Sequence, residues 1–383
     1  MWQDAWRRLK KNKAAMFSMY FLILLCVISL FTPMLPLQSP IWKDSRDRQF
    51  ETPNLRPAYL GRQRGLNFED NSFVAQLKTF DEQLAAKRQE YRGASPGEQE
   101  AILQEIETIR TAKDPFKDLW NKPGFITRGM LRMRAKIFGD WCIPSICGTN
   151  NLGSDVLSRV VWGSRVSLTV GIVATLVSLM IGVTYGAVAG LAGGWLDNAM
   201  MRVVDILYSV PFIFIVIFII TILNAEEIKS WMETHHIDKL VVFYILIGLF
   251  YWLTMSRVVR GQVISLKNEP FIDAARSLGA SEWRILFRHL IPNVMGVVIV
   301  YLTLTIPAVM LFEAFLSFLG LGVDPPDVSW GLLVNEGIQV ITPVKTYWWL
   351  VLFPGLTMTL TLFALNFLGD GLRDSLDPRL RNK

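Results

Sequence analysis

The chain has 383 residues, and 51% of them are hydrophobic, which is a high fraction for a soluble protein. Three cysteines are too few for a disulfide scaffold, and the formal net charge of +6 makes the chain basic. The sequence has no phosphate-binding loop, zinc-peptidase motif, nucleophile elbow or dinucleotide-binding glycine motif. We therefore predict no catalytic residues and no nucleotide hydrolysis by this chain.

Six apolar segments predict membrane-spanning helices. A hydrocarbon core about 30 Å thick requires roughly 17 to 25 residues of helix. The basic residues before the first segment also resemble the start of a secretory signal, but no small-residue cleavage site follows it, so we predict a retained anchor. The six segments are residues 15–37, 166–190, 199–223, 240–256, 291–312 and 348–368.

The distribution of Lys and Arg predicts the orientation, because basic residues in short flanks stay on the cytoplasmic side. With the N-terminus inside, sixteen Lys and Arg residues flank the inner ends of the spans, and three lie in the short outer loops. We therefore expect both termini in the cytoplasm. The basic charge then reflects membrane orientation and gives no reason to invoke nucleic acid.

This topology divides the chain into four parts. Residues 1–37 are the basic N-terminus and the first span, and residues 38–160 form a long extracytoplasmic insertion. Residues 161–372 hold the other five spans, and residues 373–383 are a cytoplasmic tail. The basic residues of the insertion are compatible with export, because long loops translocate largely regardless of their charge.

The insertion contains a predicted helical hairpin at about residues 72–112. Ser95 and Glu98 form a capping box at the start of its second helix, and Gly93 suits a left-handed end of the first. Two functions are open for this hairpin: a docking arm for an extracytoplasmic partner, or a surface element that braces the membrane core.

The chain has one pair of cysteines and one pair of histidines that could be considered as metal ligands. Cys142 and Cys147 lie in the insertion, where an oxidising compartment permits either a disulfide or two thiols, and a zinc site lacks further ligands. His235 and His236 are adjacent and point in different directions on a helix, so a surface pair is expected. We predict no metal site.

Gly182, Gly186 and Gly190 recur at intervals of four in the second span. Small residues at this spacing share one helix face and let helix backbones approach closely in lipid. The pattern predicts a packing face and favours a tight bundle.

Ionisable residues inside the spans are few, which disfavours an ion-coupled carrier that relays protons at mid-membrane. Asp205 follows Arg202 by three residues, a spacing that allows an ion pair at a span end. Glu313 is expected near the outer surface, where it would serve gating or reach water.

Residues 269–293, "EPFIDAARSLGASEWRILFRHLIPN", form an unusually structured cytoplasmic loop between spans four and five. Pro270 suits a helix start, Gly279 ends that helix, Ser281 caps a second helix, and Pro292 falls at the start of span five. Apolar residues recur at helical spacing on both helices. They are Phe271, Ala274, Ala275 and Leu278 on the first helix and Trp283, Leu286, Phe287 and Leu290 on the second.

Two interpretations of this loop remain open from periodicity alone. A basic amphipathic helix lies on the inner membrane surface, or its apolar stripe fits a groove in a partner protein.

The segment "DAARSLGASEWRILFRHLIPN" resembles the cytoplasmic EAA motif of binding-protein-dependent ABC importer permeases. Asp273, Ala274 and Ala275 match the triplet, and Gly279 and Pro292 match the spaced Gly and the terminal Pro. The departures from the motif are Asp in place of Glu at 273, His289 in place of Ile, and Ile291 in place of Leu.

Four further segments resemble the C-type permease of dipeptide and oligopeptide importers. With the first span they cover about two thirds of the chain, in the order of that family. They are residues 148–171, 193–211, 312–331 and 365–380. The long insertion exceeds what we expect for the family, so no family role is assigned to its hairpin.

The resemblance implies an all-α membrane fold with an N-terminal anchor helix and a five-helix permease core in a bacterial inner membrane. It implies that the EAA coupling loop, residues 257–291, sits in a groove of an ATPase. The implied partners are a B-type permease in a heterodimer, two cytoplasmic ATPases that hold ATP and Mg, an extracytoplasmic solute-binding protein and membrane lipid. No cofactor is expected on this chain itself.

The motif neighbourhood suggests that Glu313, Trp330 and Glu336 lie near the pathway or its gate. Three alternatives to peptide import remain: the same permease type importing another solute such as a nickel chelate, an ion-coupled secondary transporter, and a structural membrane scaffold.

Overall fold

Helices dominate the computed structural model. Apart from two antiparallel pairings of two-residue strands, the regular elements of the described residues are helical, which confirms the predicted all-α class. The structure describes residues 2–41, 49–53, 64–65, 67–68, 71–112, 114–119, 123–235, 237–323 and 327–376.

The helices are named here in chain order. They are α1 (Trp2–Lys11), α2 (Lys13–Phe31, followed by a 3₁₀ turn at Thr32–Met34), α3 (Phe73–Gly93), α4 (Pro96–Ala112), α5 (Phe116–Leu119), α6 (Phe125–Phe138), α7 (Val156–Ala192), α8 (Gly194–Ser209), α9 (Phe212–Leu223), α10 (Glu226–Thr234), α11 (Lys239–Leu266), α12 (Pro270–Ser277), α13 (Glu282–Phe318), α14 (Trp330–Gln339) and α15 (Trp349–Leu376). The strands are β1 (Arg64–Gly65), β2 (Asn67–Phe68), β3 (Asn71–Ser72) and β4 (Trp141–Cys142), with β1 paired to β4 and β2 to β3.

Among the described residues, five helices are long and apolar enough to cross a membrane: α2 with its 3₁₀ turn, α7, α11, α13 and α15. The pair α8 and α9 makes a sixth span if the two are counted together. These helices match the six predicted segments in position.

The span predicted at residues 199–223 is bent in the structure, which its sequence pattern did not predict. Helices α8 and α9 are bent by 77° at Val210 and Pro211. Pro211 lacks a backbone N–H, and its ring pushes the preceding residue out of the helical region. Val210 is accordingly extended, with ψ of 124°.

One compact unit comprises Met1–Leu24, Ser167–Gly322 and Met358–Lys383. Within it, α7, α11, α12 and α13 share a buried apolar cluster. Helices α1 and α2 both approach α15 at Gly371, where an added Cβ would lie 3.2 Å from Leu9 Cδ1 of α1 and would overlap the side chain of Ala15 of α2. The cluster consists of Val183, Ala187, Met255, Val259, Val263, Ile272, Ile285, Leu286, Leu290, Val294 and Val298.

The other unit comprises Leu25–Val166 and Val323–Thr357. Within it, α3 and α4 form the predicted antiparallel hairpin around an apolar cluster of their own. A second cluster joins the base of α3 to α5 and α6. The hairpin cluster is Phe80, Leu84, Ile102 and Ile106, and the base cluster is Phe73, Leu77, Phe116 and Leu131.

The turn of the hairpin has one of the two hydrogen bonds of the predicted capping box, the one from the Ser95 N–H to the Glu98 side chain. The Ser95 backbone N–H donates to Glu98 Oε2 at 3.1 Å, and the Ser95 hydroxyl donates to the same oxygen at 2.7 Å. The expected left-handed Gly93 is wrong: it ends α3, but its φ is not positive, and Ala94 follows in an extended conformation. An extended residue leads the chain directly to the cap at Ser95, so no left-handed residue is needed.

The structure contains no bridge between Cys142 and Cys147, and the choice between a disulfide and two thiols stays a prediction. Cys142 is buried in β4. The segment between the two cysteines is held instead by Gln38, whose Nε2 donates to Ile143 O at 3.2 Å and to Ser145 Oγ at 3.1 Å.

Candidate functional site

The loop after α11 begins with helix α12, whose end is set by a glycine. Pro270 occupies the first helical turn, where its missing N–H is not needed. Gly279 has φ of +80°, and Ala280 N donates to Ala275 O at 3.0 Å. This is a Schellman end, in which a left-handed residue lets the next N–H reach a carbonyl five residues back. The joint between α12 and α13 is therefore a defined turn.

The next helix begins at Ser281, whose hydroxyl accepts from the Arg284 N–H at 3.4 Å. The loop helix and the following span were predicted as separate elements, and this is wrong. Helix α13 runs unbroken from Glu282 to Phe318, with π-helical geometry over Ile285–Leu290.

The π-helical stretch lies directly before Pro292. The Ile291 N–H donates to Leu286 O, five residues back, and the Asn293 side chain donates to His289 O at 2.6 Å. The wider turn accommodates the missing N–H and the ring of Pro292, which would otherwise interrupt the helix, and the Asn293 side chain supplies a donor for the nearby carbonyl of His289. The proline thus sits inside a continuous helix.

The inner face of the loop anchors it to the membrane helices. Ile272 and Ala275 of α12 are buried, as are Ile285, Leu286 and Leu290 of α13. All of these except Ala275 join the same apolar cluster as α7 and α11. The loop is therefore packed against the spans of its own unit.

The outer face of the loop is also apolar, yet it is exposed. Leu278 is 89% exposed and Trp283 is 65% exposed, and the Trp283 and Phe287 rings stack with centroids 5.8 Å apart. Phe271 is exposed on the same loop. We call these four residues the outer apolar face. The predicted apolar stripes are thus divided: Ala275, Leu286 and Leu290 point inward, whereas Phe271, Leu278, Trp283 and Phe287 do not.

Arg276 connects the two helices of the loop. Its guanidinium lies 3.8 Å from Asp273 and 3.5 Å from Glu282, on either side of Gly279. Both pairs are exposed, so each contributes at most about 1 kcal/mol. Asp273 and Ala274 are exposed, while His289 is half-buried. An open cavity of about 510 Å³ lies between this loop and the end of α7, lined in part by Leu191, Trp283 and Leu286.

The base of the loop is tied to α7 by a lysine. Lys267 Nζ donates to Gly190 O at 3.0 Å, where the free carbonyls of a helix end attract a positive charge. An added Cβ at Gly182 would lie 2.6 Å from Met255 Cβ, and one at Gly186 would overlap the carbonyl oxygen of Ser256. The glycine face of α7 therefore lies directly against the backbone of α11.

Two ion pairs join α8 to α11. Asp197 and Arg260 form a bidentate pair at 2.5 and 2.7 Å. Asp205 pairs with Arg257 at 2.9 Å rather than with the expected Arg202. These partners are more than 50 residues apart in sequence, so no local pattern signalled them.

Two of the three suggested pathway residues are buried. Glu313 is 1% exposed and accepts a hydrogen bond from Ser317 Oγ at 2.7 Å. In the other unit, the Trp330 indole is buried and donates to Val160 O at 2.9 Å, while Glu336 forms a bidentate pair with Arg159 at 2.5 and 3.0 Å. Trp330 therefore fills a packing position within its unit.

His235 interacts with its own helix rather than with a metal-binding cluster. Its Nδ1 lies 2.8 Å from Trp231 O, and His236 lies outside the described residues. Within the part of the chain that the structure describes, no group of three or more His, Cys, Asp and Glu side chains is placed to hold a metal ion.

The apolar helices and the folded loop between α11 and α13 define a multi-pass membrane protein of the permease class. Residues 182–382 match the profile of the binding-protein-dependent transport system inner membrane component. Residues 1–57 match the N-terminal TM domain of oligopeptide transport permease C. The chain belongs to the family of binding-protein-dependent transport system inner membrane components.

Curated relatives carry related names. The chain is 42% identical over 234 residues to the dipeptide transport system permease protein DppC of Bacillus subtilis, which covers 61% of this chain and 68% of the relative. It is 44% identical to the oligopeptide transport system permease protein OppC of Escherichia coli K12, and the aligned part is 61% of this chain and 72% of the relative. It is 32% identical to the dipeptide transport system permease protein DppC of Lactococcus lactis, covering 98% and 90%, a match that extends across the long insertion.

Proposed function

We propose that this chain is the C-type permease subunit of an ATP-driven peptide importer and that its outer apolar face docks in a groove of a cytoplasmic ATPase. The observation that carries the docking is an exposed face of Phe271, Leu278, Trp283 and Phe287 on a loop whose other face is buried. Isolated exposed apolar residues are ordinary, but a cluster on a rigid element is typical of a protein contact. Dipeptide and oligopeptide permeases among the relatives support peptide as the transported solute.

We also propose the orientation of the chain in the membrane and its partners. The loop lies in the cytoplasm with both termini, as the Lys and Arg bias supports. A related B-type permease completes the pathway, and two ATPases bind ATP and Mg while this chain binds neither. A solute-binding protein delivers peptide on the other side.

The contacts of the loop support a direct transfer of motion. An ATPase that moves the outer apolar face also moves α13, because Ile285, Leu286 and Leu290 of the same helix are packed in the core of the unit. The transfer requires that the docked face make different contacts in the two states of the ATPase, since a ligand with equal affinity for both states shifts nothing.

The test is uptake by the reconstituted transporter. This chain, the companion permease, the ATPases and the binding protein are placed in proteoliposomes, and uptake of a labelled oligopeptide is measured. We expect uptake that requires ATP, survives collapse of the proton gradient and is reduced by unlabelled peptide. Uptake that follows the proton gradient without ATP would overturn the transport mechanism, and competition by a nickel chelate but not by peptide would overturn the substrate.

A further inference from the structure

Helix α6 has an exposed apolar face that the transport mechanism does not use. Phe125 is 93% exposed, Ile126 is 71% exposed and Ile137 is 61% exposed, and Met133 is exposed as well. At 100° per residue these four side chains fall within about 120° of the helix circumference. We call them the α6 apolar face. The exposed Lys136 lies in the same arc, and its apolar stem can lie along this face while its ammonium group reaches water or headgroups.

The opposite side of α6 and one of its flanks are fixed to the protein. Leu131 is buried in the cluster with Phe73, Leu77 and Phe116. Arg128 pairs with Asp114 at 2.7 Å, and Arg132 pairs with Asp81 at 2.8 Å. The helix therefore cannot turn its apolar face inward without breaking these contacts.

Helix α6 lies next to the end of the first membrane span, and this position indicates that lipid covers its apolar face. Helix α6 packs against the 3₁₀ turn Thr32–Met34, which ends the first membrane span. Arg134 is buried, and its Nη2 donates to Leu37 O at 2.7 Å. Leu37 is three residues beyond the span, so it lies at most about 10 Å from the span end.

That distance matches the depth of the membrane interface. The headgroup zone adds roughly 5 to 8 Å to each side of the hydrocarbon core, and interfacial helices bury their apolar faces about 5 to 10 Å into it. Residues Val27, Leu30 and Phe31 of the same span are exposed in the way that lipid-facing side chains are. The α6 apolar face and these side chains thus belong to elements that pack against each other at the end of the span.

An aromatic residue that suits the membrane–water interface follows α6. Trp141 is exposed, and its ring centroid lies 6.1 Å from that of Phe138. Tryptophan is enriched where membrane and water meet, because its ring is apolar and its N–H is polar.

We propose that α6 is an interfacial helix, with its apolar face inserted among the lipid headgroups and upper acyl chains beside the first span. The insertion 38–160 is thereby held down on the bilayer rather than extended into water. The ligand is a lipid surface, and the inference does not depend on which solute the permease carries.

The test is the depth of spin labels in the full-length chain in lipid nanodiscs. Cysteines replace Ile126 and Ile137 one at a time, in a background with Cys26→Ser and Cys147→Ser. Val27→Cys on α2 is the lipid control, and Glu100→Cys on α4 is the water control, since both positions are exposed. Collisions with oxygen and with a water-soluble nickel complex are then compared by EPR.

We expect labels at 126 and 137 to favour oxygen over the nickel complex, as the label at 27 does. Nickel access equal to that at position 100 would overturn the proposal, because the face would then be in water. Shielding from both reagents would also overturn it, because a protein surface, from a partner or a second copy, would then cover the helix.

Discussion

Gly279 has a backbone conformation that most side chains resist. Its φ of +80° lies in the left-handed region, yet an added Cβ would have no heavy atom within 4 Å. The constraint at this residue is therefore the backbone angle and not crowding. Gly186 is the opposite case, because its backbone is ordinary and an added Cβ would overlap Ser256. The two glycines are required for different physical reasons.

Gly279→Val is expected to reduce uptake strongly while the amount of subunit in the membrane stays the same. A β-branched residue at positive φ costs about 1 to 3 kcal/mol, which opposes the turn between α12 and α13. Gly279→Asn is the matched control, because Asn tolerates this region, and it should retain most of the uptake. Equal uptake by the Val and Asn variants would show that the turn is not needed for coupling.

Gly186→Ala is expected to lower the thermal unfolding midpoint of the purified subunit. The added methyl group forces α7 away from α11, and overpacking of this kind costs about 1 to 3 kcal/mol. The control is Gly355→Ala in α15, where an added Cβ has no heavy atom within 4 Å, so stability should be unchanged or slightly higher. An unfolding midpoint that falls equally in both variants would contradict close packing at Gly186.

Cys147 is expected to react slowly with iodoacetamide at pH 8. Burial of the thiol raises its pKa to about 11 from its usual 9.0, and the negative charge of Asp155 contributes a smaller part of this increase. A thiol must lose its proton to react, so the thiolate fraction at pH 8 should be about 100-fold lower than for an ordinary cysteine. Mass spectrometry should show a rate that is still rising at pH 10, whereas the SDS-unfolded chain should titrate near 9. A native rate that levels off near pH 9 would contradict this environment.

Helix α12 has two apolar faces, of which one is buried and the other is exposed. Ile272 and Ala275 pack inward, while Phe271 and Leu278 remain exposed on the same short helix. Periodicity predicted that α12 is a helix, but it cannot tell which of two apolar faces is buried, since that depends on the neighbouring spans. The exposed face is the feature of this element that a partner can recognise.

Leu278→Glu is expected to weaken co-purification of the ATPase by about tenfold or more without changing the stability of the subunit. Loss of one central apolar contact costs about 1 to 4 kcal/mol of binding, and about 1.4 kcal/mol is tenfold. Leu103→Glu, at an exposed position on α4, is the matched control and should leave co-purification unchanged. If the Leu278 and Leu103 variants capture equal amounts of ATPase, the docking face has been assigned wrongly.

For the molecule as a whole, the sequence predicted best those features of the fold that depend on a single local pattern. Uninterrupted apolar runs located the spans, and a capping box located the turn of the hairpin. The bend at Pro211, the π-helical stretch before Pro292 and the pair of Asp197 with Arg260 were missed. Each of these depends on how a local irregularity is accommodated or on partners distant in sequence. The EAA residues were located by resemblance, and their burial required the structure.

Replacing residues 80–109 with a four-residue Gly-Ser linker is expected to leave membrane insertion intact and the unfolding midpoint nearly unchanged. The outer cluster of the hairpin consists of hairpin residues, and the base cluster around Leu131 is retained. The ion pair of Arg132 with Asp81 is lost, but it is exposed and worth at most about 1 kcal/mol. The contrasting variant is Leu131→Asp, in which a buried charge should prevent accumulation of the subunit. Loss of the shortened chain from the membrane would contradict an independent hairpin.

The unbroken course of α13 has a mechanical consequence. At 1.5 Å per residue, its 37 residues make a rod about 55 Å long, which exceeds the thickness of the hydrocarbon core. A push or a twist applied near Trp283 reaches Phe318 through one helix, with no loop to absorb it. The wide turn at Ile285–Leu290 and the internal Pro307 are the two compliant points along this rod. The stiffness of those two points sets how much of the applied torque arrives at the far side of the bilayer.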